Sequence, residues 1–241
     1  MTATPDTTIR EIVATDFRTA AVFQRFGLDF CCNGCRTLEQ GCREAGANAS
    51  ALLRELETVM TAPAGAAPRF GSWDVHTLID YIVANHHAYV REALPVLLRH
   101  SAKVAEVHGE GHPELVHIAR LIQRVADEMT EHMAKEEQVL FPFIAQMAEA
   151  EGRGTPLPVA PFGTVENPIR MMEHEHRFVG DAMAEIRSLT DGYTPPPDAC
   201  PTYRVCFQEL EAFEADLHAH VHLENNILFP KALSVEIGAR S

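Results

Sequence analysis

The sequence predicts an all-α protein, an up-down four-helix bundle preceded by a small helical domain with a cysteine-bearing turn. Three observations predict it. First, one stretch occurs twice: H-M-A-K-E-E-Q-V-L-F-P from His132 to Pro142, and H-V-H-L-E-N-N-I-L-F-P from His220 to Pro230, 88 residues apart. Second, the repeat reaches upstream: N-H-H-A-Y-V-R-E-A-L holds His87, and E-H-E-H-R-F-V-G-D-A-M holds His176, 89 residues on. Aligned on those histidines, Tyr89 matches Phe178, Val90 matches Val179, Glu92 matches Asp181 and Leu94 matches Met183. Each half therefore reads as a helix with one His, a connection, and a helix with His-x-x-x-Glu, and such repeats dictate architecture. Third, apolar residues recur with helical spacing and no segment alternates as a strand would.

In chain order, residues 1–62 form the amino-terminal domain, 63–71 a linker and 72–241 the bundle. Residues 1–8 are expected to be frayed. Ile9, Ile12, Val13, Phe17, Ala20, Ala21 and Phe23 mark a helical pattern to Phe26, broken near Thr15-Asp16 with Thr15 as cap of the second piece. Gly27 is a helix stop. L-D-F-C-C-N-G-C-R-T-L (Leu28–Leu38) is a turn on Asn33-Gly34, and Thr37 caps a short helix to Ala45. Leu52, Leu53, Leu56, Val59 and Met60 give a further amphipathic helix. Pro63, Gly65 and Pro68 make the following stretch a linker by composition. The first long helix spans about Ser72–Val107, with a bend expected at Pro95, and the second about Pro113–Glu151, with a kink or break at Pro142. Residues 152–168 are a long irregular connection, closed by Asn167-Pro168 as N-cap and first helical residue. The third helix runs to about Leu189, and the fourth from Asp198 to Leu233.

The totals narrow the function. The 241 residues suffice for one sizeable domain plus a small one, and 46% hydrophobic residues exclude whole-chain disorder. A net charge of −14 argues against nucleic acid or an anionic membrane as partner. No run approaches the roughly 18 apolar residues of a membrane span, and the polar start has no signal-peptide core. The expected compartment is the cytoplasm, where thiols stay reduced.

The chemistry lies in the repeat. A His and a Glu four residues apart share one helix face and can grip one metal ion. Two halves supply His87, His132, Glu136, His176, His220 and Glu224. Six N/O donors exceed what one closed structural zinc takes, and suit two ions, each with two imidazoles and sharing both carboxylates. Imidazole and carboxylate suit Fe, Mn or Zn, with iron favoured by analogy to His-rich two-metal sites that bind O₂ or NO. Charge balance is met by the two glutamates with oxo or hydroxo bridges. For any single His a solvated helix residue is the competing reading; the duplicated set makes it a poor one. Glu128 and Asp216, each one turn before a repeated His, and Glu175, beside His176, are candidates for orienting the imidazoles, against solvated acids as the plain alternative. His86 is about 100° around the helix from His87. His174, His218 and His222 lie two residues from a candidate ligand, hence facing away, and read as solvated. His76, His100, His108, His112 and His117 have no repeat partner and read as ordinary surface or loop residues.

Cys31, Cys32 and Cys35, with Cys42 beyond, admit several readings. Zinc would need four donors, and vicinal cysteines make a poor cage. Redox, transient metal or NO handling suits thiols in a turn, and simple burial is the plain alternative. Cys32-x-x-Cys35 is a short dithiol spacing. Cys200 and Cys206 read as inert.

D-F-C-C-N-G-C-R-T-L resembles the amino-terminal signature of the repair-of-iron-centres (ScdA/YtfE/DnrN-like) family, and the two H-x-x-x-E…L-F-P stretches resemble its hemerythrin-like di-iron domain. R-E-A-L-P, M-E-H-E-H and T-P-P-P-D-A-C strengthen the likeness. The resemblance implies iron ligands at the four histidines, Glu136 and Glu224 as bridges, and the family's vicinal thiol pair at Cys31 and Cys32, the candidate catalytic, redox-active pair. The usual Cys-Cys-Gly-Gly is Cys-Cys-Asn-Gly here, followed by the extra Cys35. It further implies a cytoplasmic protein that restores iron–sulfur clusters damaged by oxidative or nitrosative stress, closer to an iron donor than to a turnover enzyme. Its partners are then damaged iron–sulfur proteins, with NO or O₂ as small ligands, and a homodimer is admitted. The alternatives are an NO- or O₂-processing enzyme and a diatomic-gas sensor or carrier.

Overall fold

The computed structural model describes residues 3–62 and 68–239. Most of the expected linker, residues 63–67, lies outside them. Helices are the regular structure of the described residues, which hold no strand beyond one isolated antiparallel bridge, Thr8 with Thr37.

The amino-terminal domain has four short helices. Helix α1 (Ile9–Thr15) starts on a capping box, Thr8 with Glu11. Residues 4–8 are tied down rather than frayed: the carbonyls of Pro5 and Thr7 accept the N–H groups of Glu39 and Leu38. The chain then breaks at Asp16, whose side chain accepts the Arg18 N–H and caps a 3₁₀ turn, Phe17–Thr19, before α2 (Ala20–Arg25). Asp16, not Thr15, is the cap; the Thr15 hydroxyl donates to the Glu11 carbonyl. Gly27 follows at φ 68°, a left-handed stop that a side chain would strain. Helix α3 (Leu38–Ala45) carries the Thr37–Gln40 capping box, and α4 (Ala49–Thr61) is capped by Asn48. Phe70–Ser72, spanning the end of the expected linker and the expected start of the first long helix, forms a 3₁₀ turn whose Phe70 packs on Trp73, Tyr81 and Phe17.

Four long rods make the bundle. The first is α5 (Val75–Tyr81), a π segment (Ile82–His87) and α6 (Ala88–His108). The second is α7 (Glu114–Lys135), a π segment (Glu136–Leu140) and α8 (Phe141–Arg153). The third is α9 (Glu166–Leu189), which begins before Asn167-Pro168; Asn167 sits in its first turn and donates to the Phe162 carbonyl. The fourth is α10 (Pro201–Leu223), a π segment (Glu224–Leu228) and α11 (Phe229–Gly238). The interruption of the first rod is the π segment, and α6 continues through Pro95.

The repeated Leu-Phe-Pro explains two of the π segments. A proline has no N–H and its ring crowds the carbonyl four residues back. The wider turn takes up this defect: the Phe141 N–H reaches Glu136 O and the Phe229 N–H reaches Glu224 O. Neither rod breaks, so both His-x-x-x-Glu faces stay aimed inward.

Two apolar clusters fill the interior. One holds α6, α7, α9 and α10 residues such as Leu97, Ile122, Met183 and Phe213, and continues into Ile12, Phe23 and Leu52 of the amino-terminal domain. The other holds Leu78, Ile82, Phe141, Ile144, Ile169, Ile227 and Phe229 at the opposite end. Between them lie buried His87, His132, Glu136, His176, His220 and Glu224.

Candidate metal centre

The π segments set the glutamates at the head of each bulge, and the rods bring six side chains together. His87, Glu136, His220 and Glu224 form one group, and His132, Glu136, His176 and Glu224 a second, each with donor atoms within 4.8 Å of one another. Both glutamates belong to both groups, and none of the six is more than 1% exposed.

All four imidazoles point Nε2 inward. His87 Nε2 stands 3.1 Å from His220 Nε2, and His132 Nε2 stands 3.0 Å from His176 Nε2. The carboxylates lie among them: Glu136 Oε2 is 3.3 Å from His132 Nε2 and 3.4 Å from His87 Nε2, and Glu224 reaches His220 at 2.8 Å and His176 at 3.0 Å. Three rings are fixed from behind. Glu137 Oε1 accepts from His87 Nδ1 at 2.6 Å, Glu175 Oε2 from His132 Nδ1 at 2.8 Å, and Asn225 Oδ1 from His176 Nδ1 at 2.9 Å. A ring donating through Nδ1 turns an Nε2 lone pair inward, the arrangement of a metal-bound histidine.

Two observations test whether a cation fits this layer. Both oxygens of Glu136, and Oε2 of Glu224, are buried without an aligned hydrogen-bond donor, although unpaired buried charge is strongly disfavoured. In addition, the protein groups alone call for positive charge. Burial pushes the His87 imidazole down, but Glu136 and Glu224 outweigh it and lift it to about 10; Glu224 likewise lifts His176 to about 9. Glu224 is held well below the carboxylate range, the charges of the surrounding imidazoles overcoming its burial. Protons or metal ions can meet this demand, and a set of neutral imidazoles with two carboxylates fits divalent ions.

The outer partners differ from expectation in part. Glu175 does meet His132, and its other oxygen takes the Lys135 ammonium at 2.6 Å. Glu128, half-buried one turn before His132, is displaced from that role by Glu175. Asp216 accepts from His86 Nδ1 at 2.9 Å instead of His220, and the His86 ring stacks parallel on His220 with centroids 5.6 Å apart. His220 Nδ1 has no hydrogen-bond partner. Glu137 and Asn225 were missed, yet they are repeat mates 88 residues apart, each directly after a repeated glutamate; extending the alignment by one residue finds them.

His174 is exposed as expected, whereas His222 is fully buried. The face of α10 turned away from the centre is covered by the amino-terminal domain, so His222 packs on Phe17 and Phe30 and burial pushes it down to about 3. His218, half-buried on the same face, meets Gln24 at 3.1 Å. Of the histidines without repeat mates, His100 bridges to Glu209 and His117 to Glu185 between helices, His112 meets Asp198 between two loops, His108 meets the Cys200 thiol, and His76 is exposed.

The thiol turn lies against this layer. Asn225 Nδ2 donates to the Cys31 carbonyl at 3.3 Å, and Asn226 Nδ2 to the Phe30 carbonyl at 3.0 Å. One residue, Asn225, thus touches both His176 and the turn. All six cysteines are free thiols. Cys31 is buried and its thiol is pushed well up by Cys32, by burial and by Asp29. Cys35 is exposed against the Arg10 guanidinium, Cys42 is buried in the small domain's core, and Cys206 is raised to about 12 by burial.

Comparisons with known proteins agree with this geometry. The family model for the hemerythrin HHE cation-binding domain matches residues 77–232. A second, ScdA_N, described as a domain of unknown function (DUF542), matches residues 5–60. The iron-sulfur cluster repair protein YtfE of Yersinia pestis (strain Pestoides F) is 35% identical over 219 residues, covering 91% of this chain and 93% of that protein. YtfE of Yersinia pseudotuberculosis serotype IB (strain PB1/+) is 35% identical over 215 residues, covering 89% and 91%. No helix among the described residues is long and apolar enough to cross a membrane. The chain therefore belongs to the YtfE family of iron-sulfur cluster repair proteins, a ScdA-type amino-terminal domain joined to a hemerythrin HHE domain.

Proposed function

We propose that the protein repairs iron–sulfur clusters damaged by oxidative or nitrosative stress, supplying iron from a centre of four histidines and two glutamates. His87 and His220 would hold one iron, His132 and His176 the other, with Glu136 and Glu224 shared. The observation that carries the reading is the convergence of the six groups into two cages with both carboxylates in common. Bound there, the ions supply a store of iron with affinity for NO and O₂. The chain's own groups do the rest. Glu137, Glu175 and Asn225 orient three imidazoles, Lys135 offsets the charge of Glu175, and the two apolar clusters exclude water. The free thiols Cys31 and Cys32, close to the ligand layer, are the groups through which electrons or a transferred group would pass, as the reducing cytoplasm permits. The working unit is the pair of domains, 1–62 and 72–241, joined by 63–71.

The test combines metal analysis with repair. Freshly purified protein is expected to hold two irons per chain and to restore activity to an iron–sulfur enzyme inactivated by NO. Glu136→Gln and Glu224→Gln should each lose one or both irons and the repair. Two irons retained in both variants would sink the assignment. Catalytic loss of NO without repair would favour the enzyme reading instead.

A further inference from the structure

Beside the ligand layer, a cavity of about 560 Å³ opens between the amino-terminal domain and the bundle. Its wall includes Asp29, Cys31 and Cys32 from the turn, and Gly180 and Arg177 from α9. We infer that Asp29, Cys31 and Cys32 form a third cation site on this wall, taking a single thiophilic divalent ion such as Fe(II) or Zn(II).

The spacing supports this. The donor atoms of the three residues lie within 4.8 Å of one another. Two thiolates on a tetrahedral ion at about 2.3 Å stand about 3.8 Å apart; the Cys31 and Cys32 sulfurs are 3.8 Å apart. A carboxylate oxygen at about 2.0 Å from the same ion would stand about 3.5 Å from a sulfur; Asp29 Oδ1 is 3.2 Å from the Cys31 sulfur. Adjacent cysteines cannot close a four-donor cage, but three donors facing a cavity make an open site with a position left for an incoming ligand.

The turn is also held in place before any ion arrives. Asp29 Oδ1 accepts the N–H groups of Cys31 and Cys32, both at 3.0 Å. The amides of Asn225 and Asn226 hold the Phe30 and Cys31 carbonyls from the bundle side. Binding would release the two thiol protons, and loss of the Cys31 S–H removes one of the three donors that crowd Asp29 Oδ1. Two thiolates, one carboxylate and a divalent cation leave a charge of −1, in a cavity that Arg177 also lines. At Gly180 an added Cβ would lie 3.8 Å from the Cys32 sulfur, in ordinary contact, which places α9 directly beside the turn. Cys35, outside the cluster, is turned to Arg10. The site stands on this geometry alone; its use as a staging point for iron leaving the buried centre rests on the repair reading.

Cobalt(II) titration of the iron-loaded full-length protein tests it. One equivalent should bind with thiolate-to-cobalt charge-transfer absorption while iron content stays constant. C31S and C32S should each abolish the band, and C35S should leave it. D29N should weaken binding at least about tenfold, the lower range for loss of even an outer partner. Cys32 is only half-buried, so C32S carries the test if C31S folds poorly. Absence of the band, or its survival in C32S, overturns the site. An intact band in a protein that does not restore damaged clusters would overturn the staging role and the repair reading, leaving the site in place.

Discussion

Asn225 joins two functions in one side chain, and its replacement separates them. Its carbonyl oxygen accepts from His176 Nδ1 at 2.9 Å, and its amide donates to the Cys31 carbonyl at 3.3 Å. Asn225→Ala removes both bonds; His176 Nδ1 is left buried without a partner, while the Cys31 carbonyl keeps the Asn226 amide at 3.4 Å. The orphaned ring nitrogen should cost the folded state about 1–3 kcal/mol. Loss of a partner behind a metal-bound histidine weakens metal binding about 10–100-fold. Asn225→Asp differs: its carboxylate still accepts from His176, as Glu137 does for His87, but it cannot donate to Cys31. Iron retention under a chelator and denaturant unfolding would be measured on both variants. Asn225→Ala should lose iron faster and unfold earlier; Asn225→Asp should keep its iron and still unfold earlier. If the aspartate variant releases iron as readily as the alanine one, the acceptor bond to His176 is not what holds that ring.

Other substitutions probe the seam and the core. In Gly34→Ala the new Cβ would sit 2.8 Å from the Phe30 carbonyl and 2.9 Å from Asn226 Oδ1. The seam must shift, at a cost of about 1–3 kcal/mol, and Cys31 should alkylate faster in a thiol-labelling assay. His222→Ala should lower stability by about 2–4 kcal/mol through a cavity beneath Phe17 and Phe30. His174→Ala, at an exposed site, should stay within about 0.5 kcal/mol with iron content unchanged. Phe213→Ala, fully buried, should cost about 3–5 kcal/mol in denaturant unfolding.

The bundle and the meeting of the six side chains were legible because duplication leaves a one-dimensional trace. His87 with His176 and the two His-x-x-x-Glu pairs recur 89 and 88 residues apart, and helical geometry turns that into shared faces. The π segments were not legible, since one widened turn shifts the apolar period by a single residue; Leu-Phe-Pro was read as a kink. His222 was misplaced for a different reason. A helical wheel assigns the face opposite the centre to water, but here a second domain covers it, and no local pattern in α10 records that docking. Asp216 failed because residues one turn apart share a face without sharing a contact: its carboxylate crosses to His86 on another rod.

The polar layer that divides the interior has a consequence for how the protein would come apart. The end built on α5, α8 and α11 uses helices of 7, 13 and 10 residues, lengths that are marginal alone in water. It meets the larger cluster across six buried histidines and glutamates, with Phe17 of the amino-terminal domain packed against both. On the proposed di-iron reading, removing the cations would leave the two carboxylates of that seam to protonated imidazoles alone. Amide hydrogen exchange should then quicken at this far end while the half anchored by the amino-terminal domain stays protected, so the ions would act as rivets between two separately melting blocks.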